Sequence, residues 1–450
     1  MGTPQILTIS SRQDMGGCLR KIFDPVFWKD SYGQVPGGGY RWSLPQLAYT
    51  AIGMGLSTEP TLRDRFAEGR ALSANLFCKR HRPGRSYQGF ADALRRVGLS
   101  LPQQLRGALQ EAVLSSFQRW KRFSFALDGT RRLLPYTRAN VEAFGETRIK
   151  NRTESAPQLL VVAAVHLESR VLWDWEVEGG QGSEPALAAR LIERLPLGAL
   201  AIKDAGTVSA QWVRDVLKNG RHLLMRVAGN FRLWTESVRE AARRGAKVWL
   251  WCDQDKAQPP VKLRLIVLRR ERVARGKGRQ RHKKRVRTIY LVTDLGPAEL
   301  SDAEAGRLYY GRWGANEIGF RGWKQVLLAR KALARSPDMA RLETCYSLLA
   351  LQALQALQFV AAGPRARLGS LAATWRVWRR AAGQLAAGRC AANFGASLKN
   401  CVVDGYQRRR PKQRRRAAQK KRADRLRPPV LRRLTKAIRL AWERNFHDVG

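Results

Sequence analysis

Two short apolar runs that each end in an acid constrain the fold of this chain more than any other sequence feature. The first run begins at Phe123 and reaches Asp128, and the second begins at Leu200 and reaches Asp204. Glycine follows each acid within two residues. Apolar runs bounded by such turn residues are typical of buried strands. Functional groups in open α/β sheets collect beyond the carboxyl ends of strands, so we expect the two acids to reach one cleft.

The stretches around these runs alternate between strand and helix patterns. Strand patterns occupy residues 159–167, 169–177 and 222–227, and helical patterns occupy residues 184–195 and 208–218. This order predicts an α/β fold in which a mixed sheet has helices outside it. In the second of these strands Asp174 and Glu176 alternate with tryptophans, and we expect both acids on its exposed face.

The charge balance indicates what kind of partner the chain binds. Its 450 residues include 83 Lys and Arg against 36 Asp and Glu, a formal net charge of +47. Such a field repels itself unless a polyanion neutralises it, and nucleic acid is the usual polyanion. An anionic membrane surface is the alternative. The most apolar window, residues 345–362, carries Gln352, Gln355 and Gln358 at helical spacing, so it is interpreted as a packed amphipathic helix and not as a membrane span.

A second group of strand patterns lies at residues 247–252, 261–269 and 286–293. We interpret it as an inserted antiparallel subdomain with a basic loop between its last two strands. Trp249 and Trp251 are two residues apart and therefore share one face of a strand. They either pack the subdomain or stack on an unpaired nucleic-acid base.

Changes in sequence pattern divide the chain into five predicted regions. These are a helical N-terminal domain, a first core part, a β-rich insertion, a second core part and a basic C-terminal region, at residues 1–115, 116–228, 229–298, 299–362 and 363–450. Ser43, two residues before Pro45, predicts the start of a helix that runs to Leu56. The N-terminal domain either recognises DNA or only packs. Basic runs at residues 408–422 are expected to stay solvated until a polyanion binds.

Three carboxylates are candidates for a metal site. Asp128 and Asp204 end strands, and Glu317 lies in residues 309–325, interpreted as the start of a helix after a glycine-containing turn. A strand-end Asp is otherwise a common turn former. Three oxygen ligands suit Mg²⁺ or Mn²⁺, whereas the six cysteines include no CxxC pair for zinc. Two such ions about 3.5–4 Å apart can activate a water or a 3′-hydroxyl and stabilise the departing oxygen at phosphorus.

Three segments around these acids carry a family resemblance. ALDGTRRLLPYTRANVEAFGE contains Asp128, LAIKDAGTVSAQWVRDVLKNGRHLLMRV contains Asp204 and Arg226, and YYGRWGANEIGFRGWKQ contains Glu317. In this order they resemble the three catalytic regions of the DDE transposases of the insertion-sequence four family, the last with its YREK signature. The signature falls on Tyr309, Arg312, Glu317 and Lys324. Six residues separate Glu317 from Lys324, as in the family, but four instead of three separate Arg312 from Glu317.

The resemblance implies an RNase H-like core with a β-rich insertion between the second Asp and the Glu. It implies a DNA transposase that nicks the ends of an insertion element and joins the 3′-hydroxyls to target DNA, using two Mg²⁺ or Mn²⁺ ions. Asp128, Asp204 and Glu317 would be the catalytic, metal-binding residues. The residues expected to hold DNA are Tyr309, Arg312, Lys324, Arg226 and Arg321. The resemblance also implies a homodimer in a synaptic complex with double-stranded DNA, in the bacterial cytoplasm on the nucleoid.

Two other functions stay open at this point. An RNase H-like nuclease would cleave DNA without strand transfer. An inactive basic DNA-binding protein derived from a transposase would bind without cleaving. The intact acids Asp128, Asp204 and Glu317 argue against the inactive protein, whereas the additional residue before Glu317 keeps it open.

Overall fold

The structure of the protein is a computed structural model. It describes residues 9–28, 42–76, 83–117, 122–148, 154–205, 209–229, 231–251, 258–273, 284–363, 369–402 and 427–445. Two compact units are assembled from separate stretches. A helix-rich unit contains Met1–Phe123, Gly129–Glu184 and Ala315–Tyr406, and a sheet unit contains Ser124–Asp128, Pro185–Gly314 and Gln407–Gly450. The basic runs at 408–422 and most of the predicted basic loop lie outside the described residues.

In the described part of the chain, five helices precede strand β1 (Ser124–Leu133). They are α1 (Met15–Trp28), α2 (Leu44–Leu56), α3 (Leu62–Leu76), α4 (Tyr87–Val97) and α5 (Ser100–Phe117). Helix α2 begins where its sequence predicts. The Ser43 hydroxyl accepts a hydrogen bond from the Gln46 amide, and the Gln46 side chain accepts one from the Ser43 amide. This reciprocal capping satisfies two amides that the first turn leaves without helical partners.

Strands and helices alternate through the middle of the chain. In order they are β1 (Ser124–Leu133), α6 (Arg138–Phe144), β2 (Glu146–Arg148), β3 (Ser155–His166), β4 (Leu172–Gly179), α7 (Glu184–Glu193), β5 (Leu200–Lys203), α8 (Ala210–Lys218), β6 (His222–Val227), β7 (Arg232–Thr235), α9 (Val238–Arg244), β8 (Ala246–Leu250), β9 (Val261–Val273) and β10 (Lys284–Thr293). The remaining elements are α10 (Asp302–Gln325), α11 (Pro337–Ala362), α12 (Leu371–Ala386), α13 (Phe394–Lys399), β11 (Val430–Arg433) and α14 (Lys436–Asn445). The predicted apolar runs all form strands.

A mixed sheet forms the sheet unit. Its strands follow the order β11-β7-β8-β9-β10-β6-β5-β1. Strands β1, β5 and β6 run parallel, β11 runs parallel to β7, and the other neighbours pair antiparallel. Its interior is apolar, with Ile202, Leu224 and Ile266 fully buried. The predicted α/β class with a mixed sheet is confirmed.

Helix α11 is the central helix of the helix-rich unit and packs against α2, α5 and α13. It is buried on nearly all sides, and its glutamine side chains form hydrogen bonds with backbone groups. The Gln352 amide donates to the Trp173 carbonyl at 2.9 Å, and the Gln355 carbonyl accepts from the Leu172 amide at 2.9 Å. Among the described helices α11 alone has the length and apolar character of a membrane span, but 94% of its apolar window is buried in protein. Core burial explains that apolar character.

Asp174 corrects one expectation about strand β4. Its side chain is 1% exposed and lies 2.6 Å from the guanidinium of Arg106 on α5, although its strand pattern predicts an exposed acid. Arg106 also donates to the Trp175 carbonyl and lies over the Trp175 ring. Asp174 therefore forms a buried ion pair with a residue of helix α5 and does not lie on the solvated strand face that was expected.

Candidate active site

Asp204 follows strand β5 and lies at the centre of a hydrogen-bonded cluster in the sheet unit. Its Oδ1 accepts from the Tyr309 hydroxyl at 3.0 Å and from the Ala205 amide at 2.9 Å. Its Oδ2 accepts from Nη2 of Arg312 at 3.2 Å. Nη1 of Arg226, on the neighbouring strand β6, lies 3.9 Å from Oδ1. Two cations and a phenol therefore orient one carboxylate.

The surroundings of Asp204 favour its ionised form. Burial by itself raises the pKa of this carboxyl, but the Arg312 charge, the Tyr309 hydrogen bond and the Ala205 amide outweigh burial and lower the pKa below the usual aspartate value. Burial and the Asp204 charge raise the pKa of Tyr309 to about 12, so the phenol keeps its proton and remains a donor. The Asp204 side chain is 46% exposed, whereas those of Arg226 and Arg312 are 15% and 12% exposed. A solvent ligand can therefore reach the carboxylate.

The register of two parallel strands relates Asp128 to Asp204. Strands β1 and β5 pair through Ser124 opposite Leu200 and Ala126 opposite Ile202. Continued two residues past the last of these pairs, the same register would bring Asp128 level with Asp204, which lies one residue past the end of β5. Both acids then lie on the same face, because side chains alternate with a period of two. Neighbouring strands are about 4.8 Å apart, so two carboxylates can share a ligand there.

Helix α10 carries the four signature residues. It is α-helical from Asp302 to Gln325 without a π-turn, and therefore begins before the glycines that predicted a turn. A continuous helix turns about 100° per residue, so Arg312 and Glu317, five residues apart, point about 140° apart around its axis. Tyr309, three residues before Arg312, lies beside it, with the Arg312 guanidinium 5.2 Å from the Tyr309 ring centre. The additional residue of the signature is thus not absorbed by a bulge.

The remaining signature residues lie in the helix-rich unit. The Lys324 ammonium donates to the Thr130 hydroxyl and to the Arg131 carbonyl, both at 2.6 Å. Those two residues follow Asp128 on strand β1, so Lys324 fixes the backbone next to the first predicted acid. Glu317 is exposed. Arg321 is half-buried on the same helix.

A fourth carboxylate, which our sequence analysis did not select, approaches this part of β1. Glu184 begins helix α7, and a Cβ added to Gly129 would lie 2.6 Å from its Cδ. The Glu184 carboxyl therefore packs on the glycine that follows Asp128. The only sequence signal is an acid in a first helical turn, which usually indicates an interaction with the helix dipole. Within the described residues no three His, Cys, Asp or Glu side chains form a ready metal cluster.

Trp249 and Trp251 contact the C-terminal helix. The Trp442 ring of α14 lies 6.2 Å from that of Trp249 and 5.4 Å from that of Trp251, the latter in edge-to-face geometry. Trp442 is 8% exposed. The packing role that the sequence predicts for this pair therefore has a specific partner, and stacking on a base stays a prediction.

Comparison with known protein families assigns the chain to one of them. The family model described as a transposase DDE domain matches residues 124–352, which include strand β1, Asp204 and helix α10. The chain belongs to the family of transposases with a DDE domain, and it is therefore an enzyme that acts on DNA. The resemblance to a DDE transposase is confirmed at this level, and the strand order confirms the predicted α/β class with a mixed sheet.

One solved structure shows a more distant likeness. The chain is similar to a piggyBac transposase in a cryo-EM structure of its synaptic complex with hairpin DNA, at 11% sequence identity and a TM-score of 0.41. The match covers 89% of this chain and 85% of that chain. Because the TM-score is low, the fold assignment rests on the strand order and on the DDE domain. No curated protein matches the chain at the significance applied.

Proposed function

We propose that this protein cleaves DNA at the ends of an insertion element and joins those ends to target DNA, as a member of the YREK-signature transposases of the insertion-sequence four family. The parallel pairing of β1 with β5, whose continuation would bring Asp128 level with Asp204, is the observation that supports this most strongly. Both acids lie inside the matched DDE domain. The contacts of Tyr309, Arg312 and Lys324 around β1 and β5 support the subgroup.

Asp128, Asp204 and Glu317 are proposed to hold two Mg²⁺ or Mn²⁺ ions. The donor set fits hard divalent cations, since it contains only carboxylate oxygens and Asp204 is kept ionised. Such cations, when bound, make a water or a 3′-hydroxyl more acidic and neutralise charge that develops at phosphorus. Asp204 stays deprotonated and oriented for this role through Tyr309 and Arg312.

The basic and aromatic side chains of the signature are proposed to hold the DNA. Arg226 and Arg312 are the cations next to Asp204, and exchange of that carboxylate for a phosphate oxygen would preserve their charge-assisted hydrogen bonds. Lys324 and Arg321 extend the cationic surface along α10. Trp249 and Trp251 are proposed to stack on an unpaired base.

The proposed partners follow from this reaction. The substrate is double-stranded DNA, both as element ends and as target, and the synaptic complex is proposed to contain a homodimer. The proposed location is the bacterial cytoplasm, on the nucleoid. A formal charge of +47 supports the DNA partner, because phosphate neutralisation removes the self-repulsion of the chain.

The test is an end-cleavage assay with purified protein, DNA that carries the element ends, and Mg²⁺. Asp128→Asn, Asp204→Asn and Glu317→Gln are expected to lose cleavage by about 10²-fold or more while they keep DNA affinity, because electrostatic catalytic groups contribute that much. Asp92→Asn and Glu142→Gln, at exposed acids in surface ion pairs, serve as matched controls and should cleave normally. A site variant that cleaves like these controls would remove its residue from the site.

The alternatives give different products. A nuclease would release ends but give no joined products when pre-cleaved ends and target DNA are supplied together. An inactive DNA-binding protein would shift the DNA in a gel without any Mg²⁺-dependent cut. Joined products that depend on all three acids would support the transposase.

A further inference from the structure

A small cavity in the helix-rich unit is lined by residues of helices α2, α3, α4 and α11 and of strand β1. Most of its wall is apolar, and it includes the buried side chains of Phe90 and Leu94. Three other residues of the wall, Met54, Leu62 and Tyr87, are only half-buried. Ions dissolved in the solvent can therefore reach the cavity.

The size of the cavity limits what it can hold. It leaves room for the centres of water molecules over about 30 Å³. A single water needs about 10–15 Å³ of such room. The cavity therefore accepts one or two waters or a small ion, and it excludes molecules as large as a sugar or a nucleotide.

Two arginines and one acid contribute the charges of the cavity wall. Arg132 is fully buried and donates from Nη2 to Glu343 and from Nη1 to Thr344. Arg65 on α3 is also buried, and among the described residues its guanidinium has a single hydrogen-bond partner, the Glu59 carbonyl, which accepts from Nε at 2.7 Å. Glu343 is thus the one carboxylate in the wall for two guanidinium groups. The wall carries one positive charge in excess.

This excess charge lies in an environment that disfavours it. Burial lowers the pKa of Arg65, and the Glu343 charge opposes that change. Burial also lowers the pKa of Arg132, the Glu343 charge opposes that change, and the Arg65 charge adds to it. The two guanidinium groups therefore repel each other inside the protein. An anion between them would offset the repulsion, since opposite charges attract strongly where little water is present.

Two donors in the wall have no hydrogen-bond partner among the described residues. They are Nε of Arg132 and the hydroxyl of Tyr346. Tyr346 is buried, and burial raises the pKa of its hydroxyl, so the hydroxyl keeps its proton and can donate. A buried donor without an acceptor is costly, and native proteins normally supply an acceptor. The cavity has the space for one.

We propose that this cavity binds a small monovalent anion, such as chloride or formate, through Arg65, Arg132 and Tyr346. One negative charge balances the one positive charge in excess. Hydrogen bonds from a charged donor to an anion are about twice as strong as those between neutral groups, and an apolar wall strengthens them further. The bound anion stabilises the helix-rich unit, and this role does not depend on the proposed reaction.

The first test measures thermal unfolding of the whole chain without DNA or divalent metal. Ionic strength is held at about 0.2 M while sodium gluconate, whose anion is too large for the cavity, is exchanged for sodium chloride or sodium formate. At about 100 times the dissociation constant of the anion, the unfolding midpoint should rise by about 5 °C. A rise in chloride alone identifies a halide site, and a rise in formate alone identifies a site for a short carboxylate. Equal midpoints in all three salts would overturn the proposal and leave only water in the cavity.

Tyr346→Phe is the sharpest variant for this test. It deletes a hydroxyl that has no partner among the described residues, so it should not lower the midpoint in gluconate. The rise in the stabilising anion should fall by about half or more, because the anion loses one hydrogen bond. Thr50→Val on α2 is the matched control, since it also deletes a buried hydroxyl without a described partner but lies outside the cavity wall. This control should keep the full rise, and equal losses in both variants would refute the assigned site.

Arg65→Gln tests the charge balance of the wall. It removes the positive charge in excess, so the midpoint should be the same in chloride, formate and gluconate. Arg95→Gln removes an exposed arginine that pairs with Asp92 on α4, and it should keep the natural rise. A full rise in Arg65→Gln would contradict the proposal. If Arg65→Gln does not fold, the comparison of Tyr346→Phe with its control decides.

Bromide locates the site directly, because it replaces chloride and scatters X-rays anomalously. Crystals grown in bromide should show an anomalous peak in the cavity, in hydrogen-bond contact with the Tyr346 hydroxyl. Crystals of Tyr346→Phe should show a weaker peak there. Peaks only at arginines on the surface would mean adventitious ions and would overturn the proposal.

Discussion

A buried ion pair in the helix-rich unit gives a prediction whose size follows from the structure. Arg132 lies on strand β1 and is 0% exposed, and its Nη2 donates to Oε1 of Glu343 at 2.8 Å. Its Nη1 donates to the Thr344 hydroxyl at 2.9 Å. Glu343 also accepts from the backbone amides of Leu333 and Ala334. Burial lowers the pKa of Arg132, and the Glu343 charge opposes that change.

Glu343→Gln should remove the charge and keep most of the hydrogen bonds. The amide oxygen can still accept from Leu333 and Ala334, but Arg132, whose side chain is 0% exposed, loses its counter-charge. Removing one partner of a buried pair costs about 3–5 kcal/mol of unfolding free energy. For a unit of this size the midpoint of thermal unfolding should fall by about 10 °C. Circular dichroism during heating and during urea denaturation measures both quantities.

Two comparisons make this prediction refutable. Glu142→Gln breaks an exposed pair in which Arg138 and Glu142 are 93% and 62% exposed, and it should cost less than about 1 kcal/mol. Arg132→Met together with Glu343→Gln removes both charges and should recover much of the loss, because no uncompensated cation remains. If Glu343→Gln costs no more than Glu142→Gln, the Arg132 charge is solvated and the reasoning from burial is wrong.

Two further predictions concern the candidate active site. Arg312→Gln removes a cation that lowers the pKa of Asp204, so the Asp204 carboxylate should take up its proton at a higher pH. The acid limb of the pH profile of single-turnover cleavage should therefore move to higher pH. An acid limb that does not move would contradict the effect assigned to Arg312. Gly129→Ala would place a Cβ 2.6 Å from the Glu184 carboxyl carbon, and cleavage should fall by about 10-fold or more with DNA affinity retained, because small displacements of catalytic groups are costly. Gly107→Ala on α5 is the control, because an added Cβ there meets nothing within 4 Å. This variant should keep its cleavage activity and add up to about 1 kcal/mol to the free energy of unfolding. Equal cleavage by both variants would exclude a steric constraint at Gly129.

The strands could be predicted from the sequence because each core strand is a local apolar run. Strands β1 and β5 are such runs, and the acids that end them were selected on that basis. Strand β7 contains only Arg232–Thr235, and β11 is equally short and carries two arginines. Their identity as strands comes from pairing across the sheet, as in Leu431 opposite Leu233. Such pairing leaves no local pattern to detect.

The turn that Gly311 and Gly314 were expected to form is part of helix α10 instead, for a physical reason. Glycine in a helix interior costs about 0.5–1 kcal/mol, so Gly311 and Gly314 indicated a turn. Packing outweighs that cost, because Ala305, Leu308 and Tyr309 in the preceding turns are buried. Tertiary burial is not visible in a local propensity.

The sequence predicted which residues belong to the candidate site but not how they contact one another. Asp204, Arg226, Tyr309 and Arg312 were all selected from the sequence, although the first and last are more than a hundred residues apart. Their hydrogen bonds to one carboxylate depend on how α10 packs against the sheet. The Arg132–Glu343 pair was not predicted, because Arg132 has no distinct role in the segment around Asp128 and Glu343 lies outside the three segments that resemble the family.

The basic C-terminal region has consequences for anyone who engineers this protein. Its runs of arginine and lysine, within residues 403–426, are followed by strand β11 at the sheet edge and by Trp442, which packs against Trp249 and Trp251. A truncation before the runs would therefore remove an edge strand together with the charge. The resulting protein could lose DNA binding through aggregation, and this loss could not be distinguished from a loss of affinity. Replacement of residues 403–426 by a neutral linker removes the charge and keeps strand β11 and Trp442, so it separates the two effects. The length of the linker matters little, because each doubling of a connecting segment costs only about 0.6 kcal/mol.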